Sequence, residues 1–142
     1  MKVLITITND TKLKIKFEEY NRNIALMFDR NLSFSEKVKV VAAAERTKVE
    51  IEKLLQVLAP NMKINLYDEE IFKGINDVVI RNLLMNGIYP KNEFEKLIKS
   101  SKTAMSDELY GVFENYLTKI EKEQYLFIWN LGEADADAIL SH

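Results

Sequence analysis

Residues 33–60, SFSEKVKVVAAAERTKVEIEKLLQVLAP, constrain this chain more than any other stretch, because they carry the chemistry of one long amphipathic helix. Ser33 and Glu36 stand at capping-box spacing, so each side chain can satisfy a backbone amide of the first turn. Ser35 is a competing cap. The interior holds neither Gly nor Pro, and Ala42, Ala43 and Ala44 favour helix intrinsically. Val40, Ala44, Ile51, Leu54 and Leu58, with Val41 and Leu55 beside them, form one apolar stripe at helical spacing. Thr47 sits among small alanines, where a neighbouring element can approach closely. Lys48 is spaced to pair with Glu45 and Glu52 on the wet side, at roughly 0.2–0.5 kcal/mol each. Pro60 disfavours the α conformation of its predecessor and ends the helix.

Ahead of this helix, residues 2–17 alternate apolar and polar. Val3, Ile5 and Ile7 form one arm, Leu13, Ile15 and Phe17 the other, with Asn9, Asp10 and Thr11 as turn formers. The pattern predicts a β-hairpin that pairs Ile7 with Leu13, Ile5 with Ile15 and Val3 with Phe17. Lys12, Lys14 and Lys16 then share the opposite face, roughly 6–7 Å apart. Residues 23–29 admit two readings. Ile24, Leu26 and Phe28 alternate like a third strand, the favoured reading, while Ile24, Met27 and Phe28 would serve a short helix. Residues 62–66 read as another strand.

After residue 67 the signals are helical. Asp68 is placed as an N-cap, with Tyr67 and Phe72 as a hydrophobic staple. Ile71, Ile75, Val78, Val79 and Leu83 make a stripe that Gly87 closes as a left-handed C′ residue. Asn92 and Glu95 open a shorter helix carrying Phe94, Leu97 and Ile98. Ser106 and Asp107 open the last long element. Leu109, Phe113, Tyr116, Ile120, Phe127 and Leu131 fall on a near-heptad line, so the spacing predicts one continuous helix to Gly132. The alternative is a helix to Lys122 followed by a strand over residues 125–131, YLFIWNL, which is β-prone.

These readings give an α+β chain of one domain, residues 1–142. A β-hairpin region with a small antiparallel sheet spans residues 1–32, and a mostly helical body of about four helices spans residues 33–142. A chain of 142 residues buries roughly two-thirds of its unfolded surface and needs no covalent staples.

Few ways remain to build catalytic chemistry. There is no cysteine, and the single histidine, His142, is the last residue, where general-base work is poorly supported. Residues 100–103, SSKT, resemble part of a phosphate loop but lack its glycines. Glu133, Asp135 and Asp137 carry charge for a cation but not the pattern of a calcium loop. The expectation is a protein that is no enzyme and takes neither metal nor cofactor.

Aromatic residues gather late: Tyr110, Phe113, Tyr116, Tyr125, Phe127 and Trp129. Tyr and Trp are enriched where proteins grip one another. Tyr110, Tyr116, Tyr125, Phe127 and Trp129 are therefore the expected protein-binding residues. An apolar run such as residues 125–131 needs cover on more than one side. That cover comes either from within the fold, where the aromatics would complete the core around the helix of residues 33–60, or across a dimer. The expectation is a homodimer with Phe127 and Trp129 at or beside the contact. Charge is uneven: residues 1–63 hold 12 Lys and Arg against 8 Asp and Glu, and residues 64–142 hold 8 against 14. The basic first half supports an alternative, nucleic-acid binding through Lys12, Lys14 and Lys16. No window is apolar for long enough to span a membrane, and no leader is evident at the N-terminus. The abundance of Lys, Asn and Ile, whose codons are AT-rich, suggests a low-GC bacterium or its phage. A cytoplasmic accessory, inhibitory or assembly factor, bound to another protein or to itself, is the resulting expectation.

Overall fold

The computed structural model describes residues 1–140. Its elements in chain order are β1 (Lys2–Thr8), α1 (Thr11–Met27), α2 (Phe34–Leu58), β2 (Ile64–Asp68), α3 (Val78–Met85), β3 (Gly87–Pro90), α4 (Lys91–Ser100), α5 (Asp107–Lys119), β4 (Tyr125–Leu131) and α6 (Glu133–Leu140). Three short 3-10 turns punctuate them, at Ala59–Asn61, Glu69–Gly74 and Lys102–Ala104. The class is α+β, as expected, but the helices outnumber the expected four. The chain divides into two compact units: residues 10–60, and residues 1–9 together with 61–142.

The smaller unit is a helical hairpin in which α1 packs along α2. Helix α2 begins as its sequence dictates. Glu36 N–H donates to Ser33 Oγ at 3.2 Å, and Ser33 N–H donates to Glu36 Oε1 at 3.4 Å. Its buried residues are Ala44, Thr47, Ile51 and Leu55, a narrower stripe than the valines and leucines suggested. Helix α1 replaces the second arm of the expected β-hairpin and also absorbs the strand expected over residues 23–29. Asp10, read as a turn residue, is its N-cap and accepts from Leu13 N–H at 2.8 Å. Leu13 and Phe17, four apart, are buried, whereas Ile15 is exposed. The run LKIKF satisfies a period of two and a period of 3.6 at once, and the cap together with the Lys14–Glu18 pair favours the helix.

The larger unit is built on one antiparallel sheet of order β2-β1-β4-β3. β1 pairs not with a neighbouring arm but with β4, from Lys2 opposite Leu131 to Thr8 opposite Tyr125, and on its other edge with β2. One sheet face carries Val3, Ile5, Leu126 and Ile128. They join a core completed by Phe72, Leu84, Phe94, Ile98, Leu109, Phe113 and Tyr116. Phe113 is edge-on to both Phe72 and Phe94, with ring centroids 6.0 and 5.7 Å away. The other face carries Leu4, Thr6, Phe127 and Trp129, which are also buried. Strands buried on both faces read as continuous apolar runs rather than alternating ones, which is why YLFIWNL carries no two-residue period.

The continuous helix expected over residues 106–131 therefore ends at Lys119. Its start is as expected: Ser106 caps α5, accepting from Leu109 N–H at 3.3 Å, and Leu109, Phe113 and Tyr116 are buried at i, i+4 and i+7. A turn then forms in which Gln124 Oε1 accepts from Glu121 N–H at 2.9 Å and Gln124 N–H donates to Glu121 O at 3.0 Å. Two other boundaries move. Asp68 makes no side-chain cap; it ends β2 and pairs with Lys2. Asp77 caps α3 instead, accepting from Val79 and Ile80 N–H at 2.9 and 3.2 Å. Gly87 is not a left-handed C′ residue, because no glycine in the described chain has positive φ. It opens β3 opposite Ile128. The capping box expected of Asn92 and Glu95 is absent as well: α4 starts two residues earlier, after Pro90, with no side-chain cap, and Glu95 pairs with Lys99 at 2.7 Å.

Candidate functional site

The five residues expected to grip a partner do not share a surface. Phe127 and Trp129 are 0% and 1% exposed within a single chain, on one face of an interior strand, their rings stacked 5.9 Å apart. The argument for a dimer through these side chains supposed that one chain cannot cover them, and a single chain does. Tyr116 projects from α5 into the core. Tyr110 is half-buried against that core with Lys102 Nζ 5.1 Å from its ring centroid, and Tyr125 stands half-buried at the edge of β4.

Lys12, Lys14 and Lys16 do not form the expected strand face. On α1 consecutive alternate residues lie about 200° apart around the axis, so Lys12 and Lys16 share a side and Lys14 points elsewhere. Lys16 is held by Glu50 at 2.7 Å and Glu19 at 3.6 Å, and Lys14 by Glu18 at 3.6 Å. Each of these carboxylates offsets a charge that a phosphate backbone would need. His142 lies outside the described residues. Glu133, Asp135 and Asp137 are spaced by two along α6, and among the described residues no group of three or more acidic or histidine side chains gathers in metal-binding geometry. No helix there is long and apolar enough to cross a membrane.

What does stand out is the exposed apolar surface of the helical hairpin. Ile15, Leu26, Phe28, Phe34, Val38, Val41, Val49 and Val57 are all exposed, Phe28 by 78% and Phe34 by 84%. Phe34, Val38, Val41 and Val49 lie within about 80° of one another on α2, a second stripe displaced by about 115° from the buried one. Leu26 and Phe28 at the end of α1 and Phe34 and Val38 at the start of α2 flank the turn of the hairpin. Arg30, Lys37 and Lys39, with Asp29 and Glu36, lie in the same stretch of sequence. Sequence reasoning missed this surface because it assigned Val41 to the core stripe. The available signal was an excess of valines, more than one buried stripe uses.

A second locus is polar. Tyr116 Oη accepts from Asn65 Nδ2 at 2.8 Å and shares a hydrogen bond with Tyr67 Oη at 2.9 Å. Burial, and then the bond to Tyr67, push the Tyr116 hydroxyl well above its ordinary pKa. Burial alone pushes Tyr89, whose hydroxyl donates to Leu83 O, up to about 12. A tyrosine whose folded pKa exceeds the unfolded value of about 10 contributes stability below that pH and loses it as pH rises toward the folded value. Thermal melts should therefore show stability declining between about pH 10 and about pH 12. Tyr89→Phe and Tyr116→Phe should each flatten that decline; an unchanged slope in both variants refutes the assignment.

No protein-family model, curated protein or solved structure matches this chain.

Proposed function

We propose that this protein acts by binding another protein through the exposed apolar side chains of the α1–α2 hairpin, and that it catalyses no reaction. The reading suits an accessory, inhibitory or assembly factor working in the cytoplasm of a low-GC bacterium or its phage. One observation carries it: of the twelve exposed large hydrophobics in the described chain, eight fall within residues 10–60. Exposed apolar side chains concentrated in this way lower free energy when covered. Apolar anchors at i, i+4 and i+7 on one helix are also the pattern by which helices seat in hydrophobic grooves. Helix α2, with 25 residues, is roughly 38 Å long, enough to span a standard interface. The partner surface is an apolar groove whose rim carries acidic residues to meet Arg30, Lys37 and Lys39.

Phe28→Asp/Phe34→Asp is the test, because both positions are exposed and the fold does not depend on them. Tagged wild-type and variant chains are compared for what each captures from a low-GC bacterial lysate, with quantification by mass spectrometry. At least about a tenfold loss of a specific protein is expected in the variant, the size of losing a central anchor. Equal capture by both chains, or recovery of nucleic acid in place of protein, overturns the reading. A second copy of the chain is the other occupant the face admits. Light scattering at high micromolar concentration detects it as a mass above 16.5 kDa that the variant abolishes.

A further inference from the structure

The larger unit contains a cleft of about 450 Å³, lined by Ile7, Lys63, Asn65, Tyr116, Lys119, Glu121 and Gln124. Small-molecule sites fall roughly between 300 and 1,000 Å³. Four separate segments build it: the end of β1, the approach to β2, the last turn of α5 and the connection into β4.

Its hydrogen-bonding inventory is lopsided. Lys63 and Lys119 bring ammonium groups that make no ion pair among the described residues. Gln124 Oε1 accepts from Glu121 N–H and keeps one lone pair, while both of its amide hydrogens are available. Asn65 gives one amide hydrogen to Tyr116 and keeps a second. The Tyr116 hydroxyl is protonated at physiological pH, as any tyrosine with an ordinary or raised pKa is. Glu121 is the one carboxylate in the lining, so the formal charge there is +1. Donors thus outnumber acceptors, and Ile7 supplies an apolar surface.

We infer that this cleft binds a small organic oxyanion, a phosphate monoester or a carboxylate, with its charged group toward Lys63 and Lys119 and its apolar body against Ile7. The proposal is independent of what the helical hairpin binds.

The probes are phenyl phosphate, phenylacetate, inorganic phosphate and, as a cationic control, phenyltrimethylammonium, titrated into the full chain and followed by backbone amide NMR. Saturable shifts confined to Ile7 and residues 63–65 and 116–124 are expected for the aromatic anions. They should be weaker for inorganic phosphate and absent for the cation. Lys63→Ala and Lys119→Ala, both at exposed positions, should each weaken binding roughly two- to fivefold, as loss of an exposed charge contact allows. Glu121→Gln should strengthen it, and added salt should weaken it. Three results overturn the proposal: shifts that never saturate or scatter over all surface lysines, stronger binding of the cation, or lysine variants that bind like the wild type.

Discussion

Trp129→Glu is expected to unfold the protein. Trp129 lies in β4, an interior strand, opposite Leu4 of β1 and stacked on Phe127. Removing a buried Trp side chain costs about 3–5 kcal/mol through lost transfer and the cavity left behind. A carboxylate in its place adds the cost of a buried, unpaired charge, or of the proton taken up to avoid one. A domain of this size has a total stability of about 5–15 kcal/mol, so the substitution consumes most or all of it. Far-UV circular dichroism and urea titration should show a chain without a cooperative transition at 25 °C, or with a midpoint displaced far toward zero denaturant. A variant with wild-type secondary structure and stability would place Trp129 outside the core and restore the argument for an interface at this residue. Trp129→Phe, which keeps an aromatic ring on the same face, should cost less and stay folded.

That contrast shows why the same seven residues read two ways. Residues 109–131 keep a near-heptad apolar line across the α5–β4 boundary, so periodicity alone joins them into one helix. What breaks them is the Glu121–Gln124 turn, together with partners distant in sequence: β4 lies between β1 and β3. Local chemistry, by contrast, was legible. The Ser33–Glu36 box and the Ser106 cap depend on residues three apart and form as their sequences dictate. Asp68 and Asp77 mark the limit of such signals. Both are cap-capable, and the choice between them is made where β2 pairs with β1 through Asp68 and Lys2, which no local pattern records.

The candidate surfaces divide in the same way. The exposed stripe of α2 was present in the sequence as Val38, Val41 and Val49, but which of two apolar stripes is buried depends on what the helix packs against. The cleft around Tyr116 left no sequence signal, because Ile7, Lys63, Lys119 and Gln124 have no spacing in common. The aromatic residues were conspicuous by composition. They are explained by the core they fill: Phe113 bridges Phe72 and Phe94, and Tyr116 closes a hydrogen-bonded group with Tyr67 and Asn65.

Gly87 supplies the sharpest mechanistic test of the fold. A glycine needed for positive φ and a glycine needed for space both resist substitution, but they respond differently to a second change. At Gly87 the backbone is ordinary, and a Cβ would run into the ring and hydroxyl of Tyr89, two residues on along the same face of β3. The ring cannot yield without loosening its hydroxyl from Leu83 O and its contact with Phe94, whose centroid lies 5.8 Å away. Gly87→Ala should therefore destabilise by about 1–3 kcal/mol, the usual cost of overpacking. Tyr89→Ala removes the obstacle, so adding Gly87→Ala in that background should cost much less. The double-mutant cycle then has a coupling of about 0.5–3 kcal/mol, as for residues in direct contact. Urea titration of the wild type, the two single variants and the double variant measures it. Additive costs within about 0.5 kcal/mol would mean that the backbone, not Tyr89, demands glycine at this position.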